Sequence, residues 1–132
     1  MDSQELDRAA TLLMQARLDR RRIAALPDDC RPTEGPWAYD IQDRYVDLML
    51  DHYGGSIVGY KVGCTNVTAQ QQLGLSSPFA GPLLSPFVLT SPAVISTNDG
   101  FMRMIEAEIG FRLGQDLPTA DTPYTAATVR PT

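Results

Sequence analysis

At 132 residues, 43% hydrophobic and 20% charged, the chain is long enough for one globular domain with a real apolar core, and its 10 glycines and 10 prolines give it many turns. A formal net charge of −5 argues against a nucleic-acid partner, and the two cysteines, Cys30 and Cys64, form no C-x-x-C pair that would suggest zinc or a disulfide framework. No apolar run reaches the length of a bilayer span, and the acidic opening "MDSQELDRAATLLM" lacks the order of a secretory signal, so the expectation is a soluble, cytoplasmic protein with reduced thiols and no membrane partner.

Residues 3–25 read as an amphipathic helix, with Leu6, Ala9, Leu13, Ala16 and Ile23 on or near one face and Ser3 as N-cap. The run "RLDRRR" gathers Arg17, Arg20, Arg21 and Arg22. They read as cations in a last helical turn that Pro27 stops, with a basic docking patch as the alternative. "LPDDCRPTEGP" is a loop, broken by three prolines and a glycine. "WAYDIQDRYVDLMLDHYGG" is a second helix whose stripe is Ile41, Tyr45, Leu48 and Met49 and whose stop is Gly54–Gly55. Its His52, the sole histidine, sits where a side chain commonly caps carbonyls.

Then the pattern changes. "SIVGYKVGC" is rich in strand formers, and "TNVTAQQQLGL" is a short helix with a Thr65–Asn66 cap signal and a stop at Gly74. "SSPFAGPLLSPFV" and "LTSPAVIST" are short extended pieces punctuated by proline. A long strand is expected over 101–114, then a turn at "GQDLP" and a helix start with Thr122 as cap and Pro123 at its first position. Helices first and strands later predict an α+β fold, with a helical region over 1–56 and a β-rich region over 57–132 whose set of strands is incomplete.

Two stretches carry chemistry. In a strand at 101–114, Met104, Glu106, Glu108, Gly110 and Arg112 share one face, and Ile105, Ala107, Ile109, Phe111 and Leu113 the other. Carboxylates at i and i+2 lie within reach of one hard divalent cation, and Gly110 leaves room beside them. The plain alternative is a solvated strand face. In "VGYKVGCTN", Lys61 shares a face with Gly59 and Gly63, positions that let a small molecule approach the backbone. A lysine there can be tuned for proton transfer, and the helix start at Thr65–Asn66 can receive an anion. The alternative is a lysine snorkelling at a strand end.

Taken together, "IVGYKVGCTN", "QLGLSSPFAGPLL" and "IEAEIGFRLGQDLP" resemble the fumarylacetoacetate hydrolase superfamily, in particular its branch of 2-keto-4-pentenoate hydratases and 4-oxalocrotonate decarboxylases. The likeness runs over nearly the whole chain, including "YDIQ" of the second helix. It implies a mixed β-roll or sandwich of that family's type, here its N-terminal part. It further implies Mg²⁺ or Mn²⁺ held by Glu106 and Glu108, an active-site lysine at Lys61, and substrate contacts at Gly59, Gly63 and Thr65. The implied reaction is hydration of short 2-hydroxy-dienoate or 2-oxo-enoate substrates in aromatic-compound degradation. A decarboxylase, or a non-catalytic truncated homologue acting as remnant or partner subunit, is the alternative. The implied partners are a 2-oxo acid and either further copies of the chain or a homologous subunit.

Two departures stand out. Many hydratase-like members carry an acidic residue where "SPFAG" has Phe79. Members also run further, with a third carboxylate ligand on a later strand; Asp116 and Asp121, beside Pro118 and Pro123, read as turn and cap residues instead. The histidine–glutamate dyad of the family's C–C bond hydrolases has no counterpart here, which favours hydratase or decarboxylase over hydrolase.

Overall fold

A computed structural model describes residues 1–98 and 105–129, and the chain divides into two units, Met1–Met102 and Arg103–Thr132. Helix α1 spans Ser3–Leu18. Its cap is Asp2, not Ser3: Asp2 Oδ1 accepts from the Glu5 N–H at 2.9 Å, and the Glu5 carboxylate accepts from the Asp2 N–H at 2.7 Å. Counted from Ser3, the third helical residue is Leu6, which cannot return that bond; counted from Asp2, it is Glu5.

The helix also ends earlier than residue 25. Arg20 takes a left-handed φ of 53°, and the Arg20 and Arg21 N–H groups donate back to the Arg17 and Ala16 carbonyls at 3.1 and 2.8 Å. This is a Schellman closure with arginine in the position glycine usually holds, at a cost of about 1–2 kcal/mol. Only Arg17 of the four arginines belongs to the last turn.

Helix α2 spans Gly35–Tyr53 and carries a proline in its first turn, where a missing N–H costs no hydrogen bond. Past its end the chain turns at Gly55, φ 91°, where a Cβ would lie 2.4 Å from Ser85 Oγ and 2.8 Å from the Pro86 ring. Only glycine fits that crossing. Asp7 of α1 pairs with Arg44 near the middle of α2, while Arg17 at the end of α1 meets Tyr53 at the end of α2. The two helices therefore run in the same sense, and the connector 19–34, with a 3₁₀ turn at Asp28–Cys30, returns the chain.

Two clusters form the core. Leu6, Ala9, Ala10, Cys30 and Ile41 pack at one end, and Met14, Val46, Met49 and Leu84 at the other. Ala9 and Ala10 are wholly buried, so small side chains let the helices approach closely. Burial pushes the Cys30 thiol above its usual pKa, and the neighbouring Asp29 carboxylate adds to the shift.

Strand β1 (Ile57–Gly63) pairs antiparallel with β2 (Phe79–Leu84), and helix α3 (Val67–Leu73) lies between them in sequence. Buried Leu84 ties β2 to α1 and α2, and Tyr39 Oη of α2 accepts from the Ala80 N–H at 3.1 Å. Part of one β2 edge is thereby covered by a helix. "LTSPAVIST" forms no strand.

In the second unit, residues 105–114 form neither helix nor strand, against the strand expected over 101–114; residues 101–104 of that expectation lie outside the described residues. The physical reason is partnering. A strand's backbone bonds are made with a neighbour, and β1 and β2 pair with each other. Helix α4 (Ala126–Val129) starts later than Thr122 and Pro123 suggested. Thr125 and Thr128 cap it reciprocally: Thr128 Oγ1 accepts from the Thr125 N–H at 2.9 Å, and Thr125 Oγ1 from the Thr128 N–H at 3.3 Å. Helices with a two-stranded antiparallel sheet are consistent with the α+β reading. No helix among the described residues is long and apolar enough to cross a membrane.

Candidate functional site

The register of the ribbon places Lys61 opposite Gly81, with Gly59 opposite Leu83 and Gly63 opposite Phe79. Directly opposed residues of an antiparallel pair point to one face. Lys61 therefore stands among three glycines, Gly59, Gly63 and Gly81, with Phe79 and Leu83 as its diagonal neighbours. Its side chain is exposed, and it engages in an interaction of its own within the chain.

The room at the two flanking glycines differs. At Gly59 the nearest side-chain atom to a would-be Cβ is Leu83 Cδ1, at 3.6 Å, an ordinary contact. At Gly63 a Cβ would sit 2.6 Å from the Phe79 ring. The aromatic ring fills the space its glycine partner leaves, so the close approach expected of a ligand is made here by Phe79. In the sequence Phe79 stands out only as a departure from the family's acidic residue. Its pairing with Gly63 was accessible only once the register of "GYKVG" against "FAGPLL" was known.

At the exit of β1, Cys64 adopts a left-handed φ of 55° and its carbonyl accepts from Gln70 Nε2 at 2.8 Å. That bend turns the chain from the strand into α3. The N-cap of α3 is Asn66, whose side chain accepts from the Ala69 N–H at 2.9 Å; Thr65 precedes it and is exposed. The structure thus gathers Gly59, Lys61, Gly63 and Thr65 on one strand and its exit.

Glu106 and Glu108 belong to the second unit, on the irregular segment, and both are exposed and engaged in interactions. Two carboxylates within three residues are a hard-oxygen donor set of the kind Mg²⁺ and Mn²⁺ take together with waters and substrate oxygens. Among the described residues, no group of three or more His, Cys, Asp or Glu side chains comes together to complete an all-protein cage. Two carboxylates alone would leave most of the positions around such an ion to other oxygen donors.

Comparison with known proteins adds the decisive observation. The chain is 35% identical over 119 residues to a 2-keto-4-pentenoate hydratase of Paraburkholderia xenovorans, covering 90% of this chain and 44% of that protein. The relatives are hydratases by name. A 2-keto-4-pentenoate hydratase of Pseudomonas putida matches over the same share at 35%, and the TodF product hydratase of Pseudomonas putida is 33% identical over 110 residues. The chain spans less than half the length of these curated relatives, 44% or 41%. No protein-family model matches the chain, and no solved structure matches it.

Proposed function

We propose that this chain is part of a 2-keto-4-pentenoate hydratase-type lyase of the fumarylacetoacetate hydrolase superfamily. The observation that carries the reading is the 35% identity to hydratases over 90% of the chain. It is supported by an exposed lysine set among glycines and by a pair of carboxylates two residues apart.

In this reading Glu106 and Glu108 hold Mg²⁺ or Mn²⁺. When bound, the ion supplies Lewis acidity to the 2-oxygen and carboxylate of a short 2-oxo acid. Lys61 orients the substrate carboxylate or passes a proton during addition. Gly59 and Thr65 leave space and a hydroxyl at the strand exit, and Phe79 over Gly63 presents an apolar wall to the substrate's carbon chain. One water is consumed: its hydroxyl goes to one carbon of a conjugated double bond and a proton to the other, with no change in net oxidation state. The exposed apolar side chains of 105–113 support a chain that associates, with further copies or with a homologous subunit.

The test is turnover of 2-hydroxypenta-2,4-dienoate by the intact protein with Mn²⁺, followed as loss of conjugated absorbance. Glu106→Gln and Glu108→Gln should each abolish the divalent dependence. Lys61→Ala should lower kcat by about 10²–10⁴-fold while leaving Mn²⁺ affinity unchanged. Normal turnover in all three variants would defeat the assignment.

A further inference from the structure

Helix α2 turns one stripe of side chains toward β2. Tyr39, Gln42, Val46 and Met49 follow one another at helical spacing, which puts them on one side of the helix. At one end of this line Tyr39 Oη accepts from the Ala80 N–H, and at the other Val46 and Met49 pack with Leu84. Gln42 stands between those two fixed points and meets Gly81, where a Cβ would lie 3.4 Å from Gln42 Oε1.

Gly81 is the residue paired with Lys61. Opposed residues of an antiparallel pair project to one face, so a Cβ at Gly81 would point to the face that carries Lys61. The Gln42 amide therefore reaches the bare side of Gly81, on Lys61's own face, from the neighbouring helix. The missing side chain at Gly81 leaves the room it occupies.

The amide is supported from behind and open in front. Gln42 is half-buried, and with Gly81 and Leu83 it lines an open cleft of about 370 Å³ between α2 and β2. Buried Val46, Met49 and Leu84 line the same cleft, so the helix carries Gln42 on a packed base within reach of a small molecule. A glutamine amide has two N–H donors and an acceptor oxygen, and a half-turn of its last torsion exchanges them. Lys61 is the sole lysine of the chain and the only charged residue of either strand. An ammonium is a compact point charge, which leaves the second oxygen of a bound carboxylate to another donor.

We infer that Gln42 is a further substrate-binding residue of this site, its Nε2–H donating to the carboxylate of the 2-oxo acid that Lys61 holds. Its part in turnover rests on the hydratase reading, whereas its contact with a carboxylate does not. The substrate carboxylate keeps its charge while water adds, so this bond is the same before and during the chemical step. Its loss should therefore weaken binding and leave the step itself nearly unchanged.

The test is a titration of the intact protein, with Mn²⁺ present, by 2-oxopentanoate and by its methyl ester. The acid is saturated, so it binds without being hydrated. Gln42→Leu removes the donor and should bind the acid ~10-fold or more weakly while binding the ester as the parent does. Gln42→Glu keeps the shape, sets a carboxylate against a carboxylate, and should bind the acid more weakly still. With 2-hydroxypenta-2,4-dienoate, Gln42→Leu should raise KM ~10-fold and keep kcat within ~3-fold of the parent. A parent that binds the acid through Gln42 yet turns over no dienoate would uphold the contact and remove the hydratase reading. The proposal is overturned by unchanged affinity for the acid in Gln42→Leu and Gln42→Glu, by an equal loss for acid and ester, by a fall in kcat at unchanged KM, or by a folded parent that does not bind the acid.

Discussion

Helix α1 and the segment 105–113 carry comparable apolar content and meet opposite fates. In α1, Leu6, Ala9, Ala10, Met14 and Ala16 are buried, the first four within clusters that α2 and its connector help to form. In 105–113, Ile105 is 97% exposed, Ile109 87% and Phe111 91%. A helix satisfies its own backbone and needs only a partner for one stripe, which α2 supplies after the connector 19–34. A strand needs a neighbour before its backbone is satisfied at all. Apolar alternation therefore announces a strand without providing one.

Breaking the closed side of this comparison should have the largest effect. Ile41 is 3% exposed where α2 meets Leu6, Ala9 and Ala10, and Ile41→Ala should destabilise the first unit by about 2–5 kcal/mol in denaturant unfolding. A midpoint unchanged by the substitution would mean that the two helices are not the folding core.

The ribbon comes next. Gly63→Ala pushes a methyl into the far end of the half-exposed Phe79 ring, which can swing aside, and should cost about 0.5–1.5 kcal/mol. Adding Phe79→Ala should recover much of that loss, because the clash is with the ring; additive losses in the double variant would show that Gly63 is needed for its backbone alone.

A smaller effect appears only at alkaline pH. Burial raises the Cys30 pKa in the folded state, so the unfolded chain releases the thiol proton first. The stability contribution is whole at neutral pH and falls as pH rises past the ordinary thiol range toward the raised value. Cys30→Ala should flatten that alkaline decline in a pH series of unfolding midpoints, and an equally steep decline would assign it to other groups. In the folded protein iodoacetamide should modify half-buried Cys64 well before buried Cys30.

On the open side, stability should hardly change. Phe111→Ser should stay within about 0.5 kcal/mol of the parent, since so exposed a ring has little packing to lose. Its effect should appear instead in light scattering, as a lower mean mass. A clear loss of stability without a change of mass would show that the segment is packed in solution.

The same contrast explains what was legible in the sequence. Leu6, Ala9 and Ala16 on one helix and Ile41 and Met49 on the other were readable because a 3.6-residue period marks one face of each helix. Strand β1 was readable from its strand formers, and α3 from its cap and terminal glycine. The early end of α1 was not, since nothing in "RLDRRR" marks an arginine for a left-handed turn. Nor was the Phe79–Gly63 contact, which depends on register between strands separated by α3. Lys61, Glu106 and Glu108 stood out by motif and likeness rather than by packing.

The most direct measurement is the mass of the product that the intact protein forms from 2-hydroxypenta-2,4-dienoate with Mg²⁺. A hydratase adds one water to the substrate and releases no carbon dioxide, and that product should vanish in Glu106→Gln. Loss of carbon dioxide from a related dicarboxylate in place of hydration, or no reaction by a folded protein saturated with Mg²⁺, would contradict the account.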